Sequence, residues 1–275
     1  MNIQQVRNAT IIVEYGGKKI LIDPMLGKKG CMPPFPFSRN QHLRNPLHEL
    51  PFPVEEMLKG VDAVLLTHLH DDHIDEAAYE MIPKDMLFFV QDENNRQVVM
   101  SHGFNHVEVV GDNTRIGEVS IQKAESQHGN FIMKYPAGHT AGYVFTHPQE
   151  KTLYHAGDTI WYVGVKRNLK RFRPEVITLN AGGNGFHLGG RVIMNDEDVV
   201  KVAAAAPDAK IFVTHLEGVN HNSVTHEMVR KRAKVAGILD RVFIPEDGEM
   251  VEDLYRIKEE TWQKHSLERK RCVAS

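Results

Sequence analysis

Short apolar runs bounded by turn residues recur along the chain: ATIIVEY at 9–15, KKILID at 18–23, DAVLLT at 62–67, MLFFVQ at 86–91, EVSIQKA at 118–124, GYVFTH at 142–147, KTLYHA at 151–156, EVITLN at 175–180 and KIFVTH at 210–215. Their length and their β-branched and aromatic content predict strands. Several are almost continuously apolar, as in sheets covered by helices on at least one face. Helix-start signals fall between them. Asp92 is predicted to cap ENNRQVVMS before Gly103, Asn195 with Asp198 forms a variant capping box before VVKVAAAA, and Asn222 or Ser223 is predicted to begin a helix ending near Gly237. The order predicts an α/β fold mixing hairpins and crossovers.

The pattern also echoes itself. KKILID ends in Asp23 and VDAVLLTHL delivers His68; later KTLYHAGD delivers Asp158 and PDAKIFVTHL delivers His215. Two similar halves, each presenting an Asp-ending and a His-ending strand, would face one another across a shared cleft. Residues 25–53, rich in proline and aromatics, interrupt the first half. A loop this long in a compact domain is usually functional, and its position makes it a candidate lid. Residues 251–275 read as an amphipathic helix packing Leu254, Ile257 and Trp262, then a basic tail. The expectation is one domain over 1–275 with these two appendages.

Composition removes several classes. The 275 residues, 41% hydrophobic, support a proper core. With 36 acidic and 33 basic residues, a net charge of -3 offers no general attraction to nucleic acid or anionic membrane. Cys31 and Cys272 form no C-x-x-C pair, which argues against a disulfide framework or a thiolate zinc site. No signal-peptide pattern or long apolar stretch is evident, so a soluble, cytoplasmic protein acting on a small molecule is expected, with no nucleic-acid or membrane partner. Homo-oligomerisation is left open. Sixteen histidines stand out, because imidazole is the usual ligand for intracellular zinc when thiols are scarce.

The stretch VLLTHLHDDHID, residues 64–75, concentrates that chemistry. His68, His70, Asp72 and His73 follow a buried-strand pattern at spacings unsuited to one helix face. They suit a loop wrapping a metal pair as the chain leaves the strand, with a helix beginning at about Asp75 and Asp71 as a spacer. A solvated polar loop would explain one histidine, but not three with adjacent carboxylates. Four residues cannot close two sites, so further ligands are expected at other strand ends, where His128, Asp158 and His215 stand.

His68-Leu69-His70-Asp71-Asp72-His73 resembles the H-x-H-x-D-H hallmark of the metallo-β-lactamase superfamily. GGKKILIDP, THLHDDH, QHG, YHAGDT and VTHLE follow in that family's order over nearly the whole chain. The likeness looks closest to the metal-dependent hydrolase branch that includes L-ascorbate-6-phosphate lactonase. It implies a four-layer αββα sandwich and two divalent ions, zinc first and manganese or iron as alternatives. His68, His70 and His128 would hold one ion, Asp72, His73 and His215 the other, and Asp158 both. His139, in AGHTAGYVF, competes with His128 because it resembles the third-histidine motif of other branches; the QHG context favours His128. Asp23 is expected to orient the metal loop through hydrogen bonds.

A hydroxide bridging the metal pair is then expected to attack an electrophilic carbon or phosphorus, with Asp72 and Asp158 as the catalytic carboxylates. A small ester is the first reading, above all a lactone, which could be phosphorylated. A phosphodiesterase or nuclease is the alternative, and a non-hydrolytic metal-binding or redox module the second alternative. Lys166, Arg167, Lys170, Arg171, Arg173 and Arg191 are candidate anion contacts, although an exposed helix face explains the first five more simply. His155 and His221 are candidates for contacts beside the metals or to substrate.

Overall fold

The computed structural model describes residues 1–130, 133 and 138–254. Its first half runs β1 (Asn2–Arg7), β2 (Thr10–Tyr15), β3 (Lys18–Ile22), α1 (Val54–Leu58), β4 (Ala63–Leu65), α2 (Glu76–Met81), β5 (Leu87–Val90), α3 (Glu93–Ser101) and β6 (His106–Val109). The second runs β7 (Arg115–Ile116), β8 (Val119–Ala124), β9 (Gly142–His147), β10 (Glu150–His155), α4 (Val163–Phe172), β11 (Val176–Asn180), β12 (Gly185–Phe186), β13 (Gly190–Arg191), α5 (Asp196–Ala205), β14 (Lys210–Thr214), α6 (His226–Val235), β15 (Val242–Phe243) and β16 (Met250–Val251).

These strands build two seven-stranded mixed sheets, ordered β16-β1-β2-β3-β4-β5-β6 and β15-β14-β11-β10-β9-β8-β7. Three apolar clusters define the layers. One, including Ile11, Ile20, Phe89, Tyr143, Phe145 and Phe212, lies between the sheets. A second joins β4 and β5 to the helices of the first half through Met57, Ala78 and Val99. A third joins β10, β11 and β14 to α4, α5 and α6 through Val165, Val202 and Val229. The αββα sandwich follows directly: each sheet buries both faces, which is why its parallel strands are continuously apolar.

The nine apolar runs all became strands, and two of the capping signals act as read. Asp92 accepts from Asn95 N and Asn195 from Asp198 N. The third did not: the last helix starts at His226 behind Thr225, whose hydroxyl accepts from Met228 N. Asn222 instead holds a loop, accepting from Val219 N and donating to His215 O. At the C-terminal end, Val251 belongs to β16, paired with Ile3, so the expected helix does not begin at 251; residues 255–275 lie outside the described residues. The echoed halves are unequal as well. β3 and β4 are parallel neighbours, but β11 separates β10 from β14.

The proline-rich segment 25–53 forms no helix or ladder, yet it is firmly anchored. Buried Asn220 accepts from Phe35 N at 2.9 Å and Asn45 Nδ2 at 3.0 Å, and donates to Ser38 Oγ at 3.0 Å. Fully buried Arg7 donates to the carbonyls of Met25 and Gly27. Ser38 also bridges to Phe186 of β12. No helix among the described residues is long and apolar enough to cross a membrane.

Candidate metal centre

His68 leaves the C-terminal end of β4, His215 leaves β14, Asp158 follows β10 and His128 follows β8. Carboxyl ends of parallel strands are where open α/β sheets place ligands, because the diverging loops leave a crevice there. His70, Asp72 and His73 occupy the turn after His68, which closes when His73 N and Ile74 N donate to His70 O. Asp75 then caps α2 through Ala78 N and also accepts from Leu26 N and Gly27 N, tying this turn to the proline-rich segment.

The structure gathers all seven proposed residues at one point. Three donor triads have their nitrogen and oxygen atoms within 4.8 Å of one another: His68, His70 and His128; His68, His73 and Asp158; Asp72, His73 and His215. Asp158 Oδ2 stands 3.2 Å from His73 Nε2 and 3.7 Å from His128 Nε2, while its Oδ1 is 3.8 Å from His215 Nε2. Asp72 Oδ2 lies 3.4 Å from His215 Nε2. All but His70, which is half-buried, are 5% exposed or less.

Surrounding groups set the rings. Asp23 accepts from Thr67 N at 2.8 Å and Thr67 Oγ1 at 2.7 Å, and its Oδ2 lies 2.8 Å from His73 Nδ1. That turns His73 Nε2 into the cluster, the orienting role expected of Asp23. His128 Nδ1 donates to Val192 O at 3.0 Å, leaving Nε2 free as a lone-pair donor. Among the described residues, His73 Nε2 and both His215 nitrogens are buried without a hydrogen-bond partner. Such orphaned groups cost about 1–3 kcal/mol each, and His73 Nε2 and His215 Nε2 converge with carboxylates on one small volume. The donor set fits divalent cations, for which neutral imidazoles and carboxylates are the suitable ligands.

Electrostatics agree. Burial, with the neighbouring His73 and His70, holds the His68 imidazole well below its ordinary range, and burial pushes His128 down to about 4. Both are therefore neutral at physiological pH. Burial would raise the Asp158 carboxyl, but His73 and His215 outweigh it and hold it ionised. Asp72 is likewise held down, its burial outweighed by the adjacent imidazoles of His215 and His73. His73 moves the other way: between Asp158 and Asp23 it retains a proton despite its burial.

Other candidates are distributed differently. His139 is exposed, and its carbonyl accepts from Gln91 Nε2. The neighbouring Thr140 instead supports the cluster, donating with Ser126 to Asp158 O. Lys166, Arg167, Lys170, Arg171 and Arg173 are all exposed, on α4 and at its C-cap. Arg167 pairs with Glu125, and Arg191 pairs with Asp198 at 2.8 Å. Buried His155 packs its Nδ1 on Thr178 Oγ1 at 2.7 Å, and buried His221 faces Asn184 at 3.1 Å.

Sequence reading overlooked three supports. Asn180 Nδ2 donates to Asp158 Oδ1 at 2.7 Å. Asn8, at a left-handed turn with φ of 55°, donates to Asp72 O, and its carbonyl accepts from His215 N. Thr67 links His68 to Asp23. Asn8 carried a weak signal, since an asparagine just before a strand pattern suits a positive-φ turn; nothing local pointed its side chain at Asp72.

A beta-lactamase superfamily domain model matches residues 18–216. The UPF0173 protein YddR of Bacillus subtilis (strain 168) is 43% identical over 250 residues, 90% of this chain and 98% of that protein. With the site geometry, these place the chain in the UPF0173 family of metal-dependent hydrolases, within the metallo-β-lactamase fold. Among solved structures, an isothiocyanate hydrolase from Delia radicum gut bacteria is similar with a TM-score of 0.88 and 42% identity, covering 91% of this chain and 98% of that one. A possible metal-dependent hydrolase from Veillonella parvula DSM 2008 gives 0.87 and 33%, over 91% and 98%.

The Asp23 arrangement yields a direct expectation. Asp23→Asn keeps the shape but replaces the acceptor facing His73 Nδ1 with a mixed donor and acceptor. Zinc affinity should fall roughly 10–100-fold, as for other residues that orient a ligating histidine. Calorimetric titration of the apo variant measures it; wild-type affinity would mean that His73 is oriented without Asp23.

Proposed function

We propose that this chain hydrolyses small uncharged electrophiles, with isothiocyanates as the first substrate class. The observation that carries this reading is the 42% identity to an isothiocyanate hydrolase along 98% of that chain. The surroundings support it: Phe35 and Phe186 flank His221 beside the cluster, whereas Arg167 and Arg191 are engaged by carboxylates elsewhere. An uncharged organic group suits such a wall better than a phosphate does. The proline-rich segment 25–53, which supplies Phe35, would act as the lid.

His68, His70 and His128 would hold one divalent ion, Asp72, His73 and His215 a second, with Asp158 turned toward both; zinc is the first candidate. Bound there, such ions supply a water acidic enough to attack near neutral pH and a positive charge for the developing anion. The chain's own groups do the rest. Asp158 and Asn180 hold the centre of the cluster, Asp23 and Thr67 fix the ring of His73, and Asp72 accepts the proton that the attacking water loses. For an isothiocyanate, R–N=C=S and water give R–NH2 and carbonyl sulfide, both hydrogens of the water ending on nitrogen.

A lactone is the second reading, favoured by the order of GGKKILIDP, THLHDDH, QHG, YHAGDT and VTHLE, which resembles the lactonase branch. The deciding experiment offers benzyl isothiocyanate and a γ-lactone to zinc-, manganese- and iron-loaded protein, following amine release and ring opening. Turnover of the first supports the proposal, and turnover of the lactone alone replaces it with the second reading. A metal-loaded protein inert to both overturns the two together.

A further inference from the structure

His221 lies six residues beyond His215 and is 6% exposed. Its ring is gripped by two aromatic side chains, Phe35 edge-on at 4.5 Å and Phe186 stacked at 5.7 Å. One comes from the proline-rich segment and the other from β12, so the ring plane is set by elements far apart in the chain.

A chain of amides also sets which nitrogen carries the proton. Val219 N donates to Asn222 Oδ1 at 2.8 Å, and Asn222 Nδ2 donates to His215 O at 3.1 Å. Two backbone groups therefore define which end of the Asn222 amide is which. Asn222 Nδ2 also donates to Asn184 Oδ1 at 2.5 Å, which leaves Asn184 Nδ2 facing His221 Nε2 at 3.1 Å. An amide NH2 can only donate, so His221 Nε2 must accept and the ring proton must sit on Nδ1. The relay needs space that only glycine leaves. A Cβ on Gly182 would stand 2.0 Å from His215 O and 2.3 Å from Asn222 Nδ2.

The result is a buried N–H donor with no partner among the described residues: His221 Nδ1 is unsatisfied. The titratable groups that act most strongly on the ring are Asp72, His215, Asp158 and His128, all members of the cluster. Leaving a buried donor orphaned is unfavourable, and a four-residue relay that enforces it calls for a ligand acceptor.

We propose that His221 is a catalytic residue that donates a hydrogen bond from Nδ1 to the substrate atom gaining negative charge, while Phe35 and Phe186 line the seat of the substrate's organic group. In an isothiocyanate that atom is the nitrogen or sulfur flanking the attacked carbon; in an ester it is the carbonyl oxygen. The donor is fixed before the reaction and aimed at charge that develops during it, so it lowers the barrier more than it tightens ground-state binding. This role rests on the reading of the cluster as a hydrolytic metal centre.

The test has two arms. Nitrogen-15 imidazole spectra of the zinc-loaded protein should show His221 protonated at Nδ1, and Asn184→Asp, which turns the relay donor into an acceptor, should move the proton to Nε2. In parallel, His221→Ala should retain wild-type zinc content and thermal midpoint while kcat for benzyl isothiocyanate falls roughly 10²-fold with KM changed much less. His221→Gln, which restores an N–H donor and fills the space, should recover part of that loss and serves if the alanine variant fails to fold. An Nε2-protonated wild-type ring, or kcat within about threefold of wild type in both His221 variants, overturns the role. A wild type that binds zinc but turns over no substrate counts against the hydrolytic reading instead, and the spectroscopic arm keeps the two failures apart.

Discussion

Asp158→Ala is expected to lower hydrolysis roughly 10³-fold or more and to reduce the amount of divalent metal that the chain binds. Among the described residues, Asp158 has one oxygen near each outer triad. Its Oδ2 reaches toward His73, His128 and His68 at 3.2, 3.7 and 4.0 Å, and its Oδ1 toward His215 at 3.8 Å. Truncation leaves four imidazoles facing one another without that carboxylate and strands the amide of Asn180, now bonded to Oδ1 at 2.7 Å. Asp158→Asn separates charge from packing, since its carbonyl can still accept from Asn180 while the negative charge is gone. Turnover, zinc content by elemental analysis and the thermal midpoint should be read together. An alanine variant with wild-type zinc content and kcat would refute a metal-holding role for Asp158.

Stripping metal is expected to lower the thermal midpoint by about 10 °C. Binding to the native state contributes RT ln(1 + [L]/Kd), about 4 kcal/mol when free metal exceeds Kd a thousandfold. For a chain of this length each kcal/mol shifts the midpoint by roughly 2–4 °C. The structure supplies the reason for that linkage: His73 Nε2 and both His215 nitrogens are buried without partners among the described residues, and metal occupancy would satisfy the two that face the carboxylates. Scanning calorimetry with and without a chelator, followed by zinc add-back, measures the effect. A midpoint indifferent to both would mean that the cluster is preorganised without metal and that its orphaned nitrogens are satisfied in another way.

Much of this site could be read from local sequence because four of its seven members lie within six residues, His68 to His73, directly behind an apolar strand. Such proximity needs no tertiary information. His128, Asp158 and His215 could be named as strand-end residues, but only the assembled sheets bring them to His73 and Asp72. The competition between His128 and His139 shows the limit: each follows a plausible motif, and only the packed fold puts the first in the cluster and leaves the second exposed.

The elements that escaped sequence reading share a physical cause. β1 carries buried Gln5 and Arg7, so its pattern is not apolar. Gln5 Nε2 donates to Asn8 O, and the two terminal nitrogens of Arg7 donate to carbonyls of the proline-rich segment, partners that exist only after folding. Asn222 has the chemistry of a helix cap, but its side chain is taken by His215 O and Asn184, so Thr225 takes the cap. A side chain that can bond in several ways is assigned by whichever partner the fold delivers.

By itself, then, the order of apolar and polar residues determined the α/β class, the strand positions and the clustering of candidate metal ligands at residues 68–73, because strand periodicity and ligand clustering are short-range properties of the chain. The tertiary structure alone decided the rest: which distant histidine joins the cluster, how the proline-rich segment is anchored by Asn220, and how Asn184 and Asn222 are set around His221. Each depends on groups separated by tens to hundreds of residues, and burial, by removing water as a competing partner, leaves the arrangement to the partners that the fold delivers.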